Sequence, residues 1–410
     1  MPLPVAREHV FGVQMVSHET AASTRLAQSS GFRNVRARVT WAWICGSTVL
    51  LYWLCLQFFF PHYFNPLAPF HVDCYLYAAE RAHSLQFLIL HYPRPAAWAA
   101  MHLLAYLGFR GLMAGEIVIA VAGVLLTIAL AARLFGLTDT AIVEATVLYC
   151  FLLFAHPDFY FEHRHDLPAE VSYLFLMLAL HGCISWVRSR SLPALVGAVV
   201  CAVVFVFAKE TFFLSAVCLM LGLTWTDRRH RRDYAAFTSL FIVLEVASLA
   251  WARHGNSPFV NLQATGQDAY RIDLSPGSLF PLYWYYLRHA FTPAAAVLVI
   301  GSVWISRKRN DLALNLGFLV AGLAPYLLHA ALPNHTYEEY AWIGAPLAYT
   351  PLLVAAGRGE WLRMRWQAWS RGARGVDAAS SELLVTDLSR SVLRHCGSWC
   401  MALLLLLCVI

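Results

Sequence analysis

The sequence predicts an all-α fold, a polytopic transmembrane helical bundle of about eleven spans. Three observations carry this expectation. The 410-residue chain is 59% hydrophobic and only 13% charged, against roughly 25% charged in a soluble domain, and its mean hydropathy is +0.56. Apolar runs near the ~20 residues that cross a hydrocarbon core recur along its length. Most of the arginines lie in short segments between those runs. Lipid offers the backbone no partner, so each run is expected to satisfy its own hydrogen bonds as a helix.

The elements follow in order. Residues 1–40 are polar and arginine-bearing, carry no cleavable leader pattern, and precede the first span at 41–60. A proline-rich link leads to a helix at 95–108, lying at or dipping into the interface. Spans then fall at 115–132, 141–154, 169–187, 192–208, 211–225, 235–251, 281–305, 312–330 and 341–356. The short pair on either side of Lys209-Glu210 reads as a tight hairpin. Trp and Arg alternate at helical spacing in 360–371, which predicts an amphipathic helix on the membrane face. The run SWCMALLLLLCVI, 398–410, is the terminal span. The organisation is therefore a 1–40 segment, a 41–356 transmembrane module, a basic 357–397 segment and a last helix at 398–410. No internal repeat of the kind common in secondary transporters is present.

Charge sets the orientation. Arg7, Arg25, Arg33, Arg36, Arg38, Arg133, Arg188, Arg190, the DRRHRRD run, Arg307–Arg309 and the arginines from Arg358 to Arg374 fall on one side. By the positive-inside rule that side is cytoplasmic, with the N-terminus. The net charge of +6 is spread over these short links and points to no nucleic acid. Most of the ten cysteines lie in apolar runs, which is core usage and not a disulfide framework.

The outward side collects the chemistry. It receives Asp73, Glu80, Asp158, the link FEHRHDLPAE, the Lys209-Glu210 tip, the 254–280 loop and the turn PNHTYEEY. Titratable groups at membrane depth are costly and are usually functional, so stretches this far apart on one face predict a shared polar cavity. Loops that are simply wet are the alternative. Asp73 opens a helical pattern with Tyr77 and Arg81 on its face and Tyr75 beside it; it is placed either as an N-cap or as a base for a hydroxyl proton. His163 and His165, with Glu162 or Asp166, have ligand chemistry for a divalent cation, though their spacing matches no strong motif.

Taken in order, several segments resemble the GT-C superfamily of polytopic glycosyltransferases, near the protein O-mannosyltransferases and the lipid A aminoarabinose transferases. Asp73-Cys74-Tyr75 matches the outward acid before an aromatic. HYPRPAAWAAMHLLAYLGFRG matches the Tyr/Pro stretch that leads into a helix. AARLFG, Asp166 opening a span, and Ala208-Lys209-Glu210 at a hairpin tip follow. These matches cover 41–225, about half the chain. Two departures stand out: the first-loop acid pair is a single Asp73, and Glu338-Glu339-Tyr340 stands where a cation before the Tyr is usual.

The resemblance implies an inverting transferase of the cell envelope that uses a polyprenyl-phosphate sugar. Asp73 and Asp166 would be catalytic. Lys209, Arg94, Arg271 and His335 would face the donor phosphate, with Arg288 a further candidate. Tyr75, Tyr77, Glu80, His165 and Glu210 would line the acceptor pocket. The partners implied are that donor, a lipid, glycan or protein acceptor, and the bilayer, in a bacterial inner membrane. Two other classes remain open: a transporter or flippase of a lipid-linked or anionic substrate, and an O-antigen-ligase-like or acyltransferase-like enzyme using an outward histidine such as His165 or His335. A transporter is expected to carry polar groups deep in several spans, whereas here the sequence offers only Glu144 and Glu245.

Overall fold

Residues that cannot continue a helix decide where each one starts and stops. Proline occupies the first turn of seven of the helices below, where its missing N–H costs nothing. A computed structural model describes residues 38–59, 94–137, 139–155, 167–254, 273–307, 311–331 and 344–358. Every regular element among them is helical. The helices are α1 (Arg38–Phe59), α2 (Pro95–Ala105), α3 (Gly108–Phe135), α4 (Asp139–Phe154), α5 (Leu167–Ser189) and α6 (Leu192–Ala208). They continue as α7 (Phe213–Thr226), α8 (Arg231–His254), α9 (Pro276–Ala290), α10 (Pro293–Ser306), α11 (Leu312–Ala330), α12 (Ala345–Ala348) and α13 (Thr350–Gly357). Short 3-10 turns, Glu210–Phe212 and Arg228–His230, open α7 and α8.

Close backbone approach holds the helices together, as it does where lipid removes the usual hydrophobic drive. A Cβ added at Gly182 of α5 would lie 2.9 Å from the Ala198 backbone of α6. Gly222 of α7 and Gly317 of α11 face one another so closely that a Cβ on either would meet the other's Cα at 3.3 Å. Gly322 of α11 sits against the Ala348 backbone of α12. Buried phenols need acceptors in so dry an interior. Tyr149 donates to the Pro346 carbonyl (2.6 Å) and Tyr349 to that of Ala290 (3.0 Å). The Tyr173 and Thr127 hydroxyls bond each other across α5 and α3.

Three described arginines tie helix ends together at one end of the bundle. Arg133 donates to Ser185 Oγ (2.9 Å) and the His181 carbonyl, joining α3 to α5. Arg190 forms a two-pronged pair with Asp233 (3.0 and 2.6 Å), and the Asp233 carboxylate holds the Arg190 guanidinium above its ordinary pKa. Arg358, just beyond α13, pairs with Asp311 and donates to the Phe135 carbonyl, clasping the ends of α3, α11 and α13.

The all-helical membrane architecture is present, with fewer full-length crossings among the described residues than the sequence predicts there. Among the described residues five helices are long and apolar enough to span: Arg38–Phe59, Arg110–Phe135, Pro168–Ser189, Arg228–Trp251 and Leu312–Ala330. A sixth is counted if α9 and α10 form one bent span. Other runs read as spans are shorter apolar helices, Ile142–Phe154, Leu192–Ala208, Phe213–Thr226 and Ala345–Gly357. At 1.5 Å per residue none of these reaches the full ~30 Å of hydrocarbon. The 281–305 run is not one straight helix: it is two helices meeting at 94°. Phe291 is extended and Thr292 caps α10 by accepting from the Ala295 N–H.

Candidate functional site

The expected hairpin at Lys209 has a different construction from two helices packed side by side. α6 lies chiefly on α5, and α7 chiefly on α11, so the link between them bridges two layers. The helix stops at Ala208 because Lys209 adopts extended backbone (φ −166°, ψ 140°). Its carbonyl, released from the helix ladder, accepts from Ser172 Oγ of α5 at 3.0 Å. The same hydroxyl lies 3.2 Å from the Phe205 carbonyl. Phe212 then packs on Tyr173 with ring centroids 5.1 Å apart, and Tyr173 is itself bonded to Thr127. Lys209 is consequently only 3% exposed, unusual for a side chain that normally extends to water.

Four segments converge beside it, at the end of the bundle away from Arg133, Arg190 and Arg358. Ala97, Trp98 and Met101 of α2, Leu112 of α3, Val171 of α5 and Ala208 of α6 form one apolar cluster. Each has a polar neighbour. Arg94 caps the start of α2 one turn before Trp98, its carbonyl accepting from the Trp98 N–H. His102 follows Met101 and is buried. Glu170 precedes Val171 and is also buried. Thr211, in the 3-10 turn, is buried, and its Oγ1, like His102 Nδ1, has no hydrogen-bond partner among the described residues. The small Ala97 and Ala208, with no exposed surface at all, allow these backbones to approach.

One turn beyond Leu112, Glu116 is 2% exposed on α3. Tyr52 of α1 is likewise buried, and its ring meets Phe154 edge-on at 5.3 Å. Acids buried at such depth carry a desolvation cost of several kcal/mol and are rarely kept without a role.

The sequence expectations divide accordingly. Arg94, half-buried, and buried Lys209 come to the same helix cluster. Glu210 stands in the adjoining 3-10 turn. Arg288 is exposed on α9, apart from this cluster. Asp73, Tyr75, Tyr77, Glu80, His163, His165, Asp166, Arg271 and His335 lie outside the described residues, as do the predicted helices at 360–371 and 398–410. Among the described residues no three His, Cys, Asp or Glu side chains group so as to hold a metal ion.

His102, Thr211 and Glu116 were not singled out in the sequence, and Glu170 entered only as the end of the FEHRHDLPAE link. The signal for Glu116 was a lone acid in GLMAGEIVIA. A span read as starting at 115 makes that acid look terminal, whereas α3 begins at Gly108 and buries it about 12 Å in. No family model, no curated protein and no solved structure matches the chain.

Proposed function

We propose that the chain is a GT-C-like membrane glycosyltransferase. It moves a sugar from a polyprenyl-phosphate donor to an acceptor hydroxyl at the end remote from Arg133, Arg190 and Arg358. The observation that carries this reading is Lys209: a cation held 3% exposed at the junction of α2, α5 and α6, close to the membrane boundary where a lipid phosphate lies. The arginine-rich end is cytoplasmic by the positive-inside rule, the N-terminus with it, so the reaction is extracytoplasmic in a bacterial inner membrane. The short apolar helices complete the eleven-span path of such an enzyme by crossing a locally thinned bilayer.

Asp73 accepts the acceptor's O–H proton as that oxygen bonds the anomeric carbon. The bond from that carbon to the phosphate oxygen breaks with inversion, and polyprenyl phosphate departs with the electron pair. Negative charge grows on the leaving oxygen, so preorganised cations in a dry site contribute most. Lys209 and Arg94 take that part, and Asp166 orients the acceptor.

The test uses purified full-length protein in vesicles with synthetic polyprenyl-phosphate sugars. Asp73→Asn is expected to abolish glycoside formation while the protein keeps its thermal midpoint. Turnover retained in that variant removes Asp73 from catalysis. A second reading, a flippase of the same donor, draws on Glu116 and Glu245, buried within α3 and α8. Intact donor appearing in the opposite leaflet without glycoside would favour it.

A further inference from the structure

The bend between α9 and α10 separates two helices of different chemistry. α10 presents Val297, Ile300 and Trp304 outward and ends at the arginine end, where Arg307 lies over the Trp304 ring at 3.4 Å. α9 presents Phe280, Trp284 and Arg288 outward, four residues apart and so on one stripe. Its other face is committed to α11. Tyr286 and Ala290 pack on Tyr326 and Ala330, with the Tyr286 and Tyr326 rings stacked at 6.3 Å. The Asp273 N–H, ahead of α9, donates to the Ala331 carbonyl (2.9 Å).

Depth follows from these contacts. α11 starts at the clasp between Arg358 and Asp311. Tyr326 and Ala330 stand about 21 and 27 Å further along it at 1.5 Å per residue. That is the far boundary of a ~30 Å hydrocarbon core, and α9 is held there across the direction of α10.

We infer that α9 is an in-plane helix of the leaflet remote from the arginine end, and that its outward stripe is covered by that leaflet's headgroup layer. Phe280 and Trp284 sit where acyl chains meet glycerol, the level that Trp favours on amphipathic grounds. Arg288, its guanidinium 5.7 Å over the Tyr285 ring, reaches a lipid phosphate, an acceptor its planar fork fits in two-pronged fashion. The inference stands whether or not the chain transfers a sugar.

An in-plane helix holds its stripe at one depth, whereas a crossing helix changes depth along it. A ketone-bearing amino acid placed at 280, 284 or 288 of the full chain, spin-labelled in phosphatidylglycerol-containing vesicles, reports depth by its relaxation with oxygen and a water-soluble nickel reagent. The three positions are expected to agree within about 3 Å, and labels at 297 and 300 to lie deeper. A progressive change of about 12 Å from 280 to 288, as a crossing helix gives, overturns the inference. So does access to the nickel reagent alone, or shielding from both reagents. With the label at 284, Arg288→Glu is expected to move it toward water; an unchanged depth removes the phosphate contact.

Discussion

Lys209 is held by its backbone before its side chain is considered. Ser172 bonds the carbonyl that the end of α6 leaves unmet, and Phe212 and Tyr173 wall the turn. A cation placed so can stabilise charge developing on a leaving phosphate without reorganising, an effect typically worth 10²–10³ in rate. Lys209→Met keeps the length of the side chain and removes the charge. Transfer is expected to fall by about 100-fold or more, with far-ultraviolet dichroism and thermal midpoint close to the parent. A variant that loses both activity and fold would assign Lys209 to structure alone; Lys209→Arg recovering activity would support the charge. Glu170 and Glu116 belong to the same scale: neither announces itself in composition, and both are fixed in the interior by the helices that carry them.

At the scale of the element, helix packing depends on small residues at a few crossings. α11 and α12 approach closely at Gly322 and Ala348, where an added Cβ at Gly322 would fall 2.3 Å from the Ala348 nitrogen. The obstacle is backbone, which cannot rotate away. Gly322→Val is therefore expected to destabilise by about 1–3 kcal/mol, the usual range for overpacking, read as a lowered midpoint in detergent. Gly197→Ala, where a Cβ meets nothing within 4 Å, is the matched control and should leave the midpoint unchanged. The α9–α10 elbow belongs here too. A hydropathy pattern adds 281–305 into one apolar run, yet Pro293 begins a new helix after extended Phe291, and the axis turns.

For the whole molecule the organising fact is polarity between two ends. Arg133, Arg190 and Arg358 tie helix ends together at one of them, while Lys209, Arg94 and Glu170 gather at the other. Labelling of engineered cysteines in sealed inverted vesicles checks the orientation. Positions 190 and 307 are expected to react from the cytoplasmic side, and 279 only after the vesicles are opened. The reverse pattern would invert the membrane assignment and move the proposed chemistry to the cytoplasm.

Much of the helical layout was legible. The runs at 192–208 and 312–330 coincide with α6 and α11, since unbroken apolar sequence next to proline or charge leaves little freedom in lipid. Of the candidate site, Lys209 and Arg94 were legible because charges are rare in this chain. Glu116, His102 and Thr211 were not, because their burial comes from neighbours distant in sequence. Composition and the placement of arginine by themselves determined a helical membrane protein with one basic side, because desolvating charge in hydrocarbon is costly whatever the fold. Which short helices pair, where a long apolar run bends, and which polar residues meet were decided only by tertiary packing, because those outcomes rest on backbone approach at single glycines and alanines that no local pattern encodes.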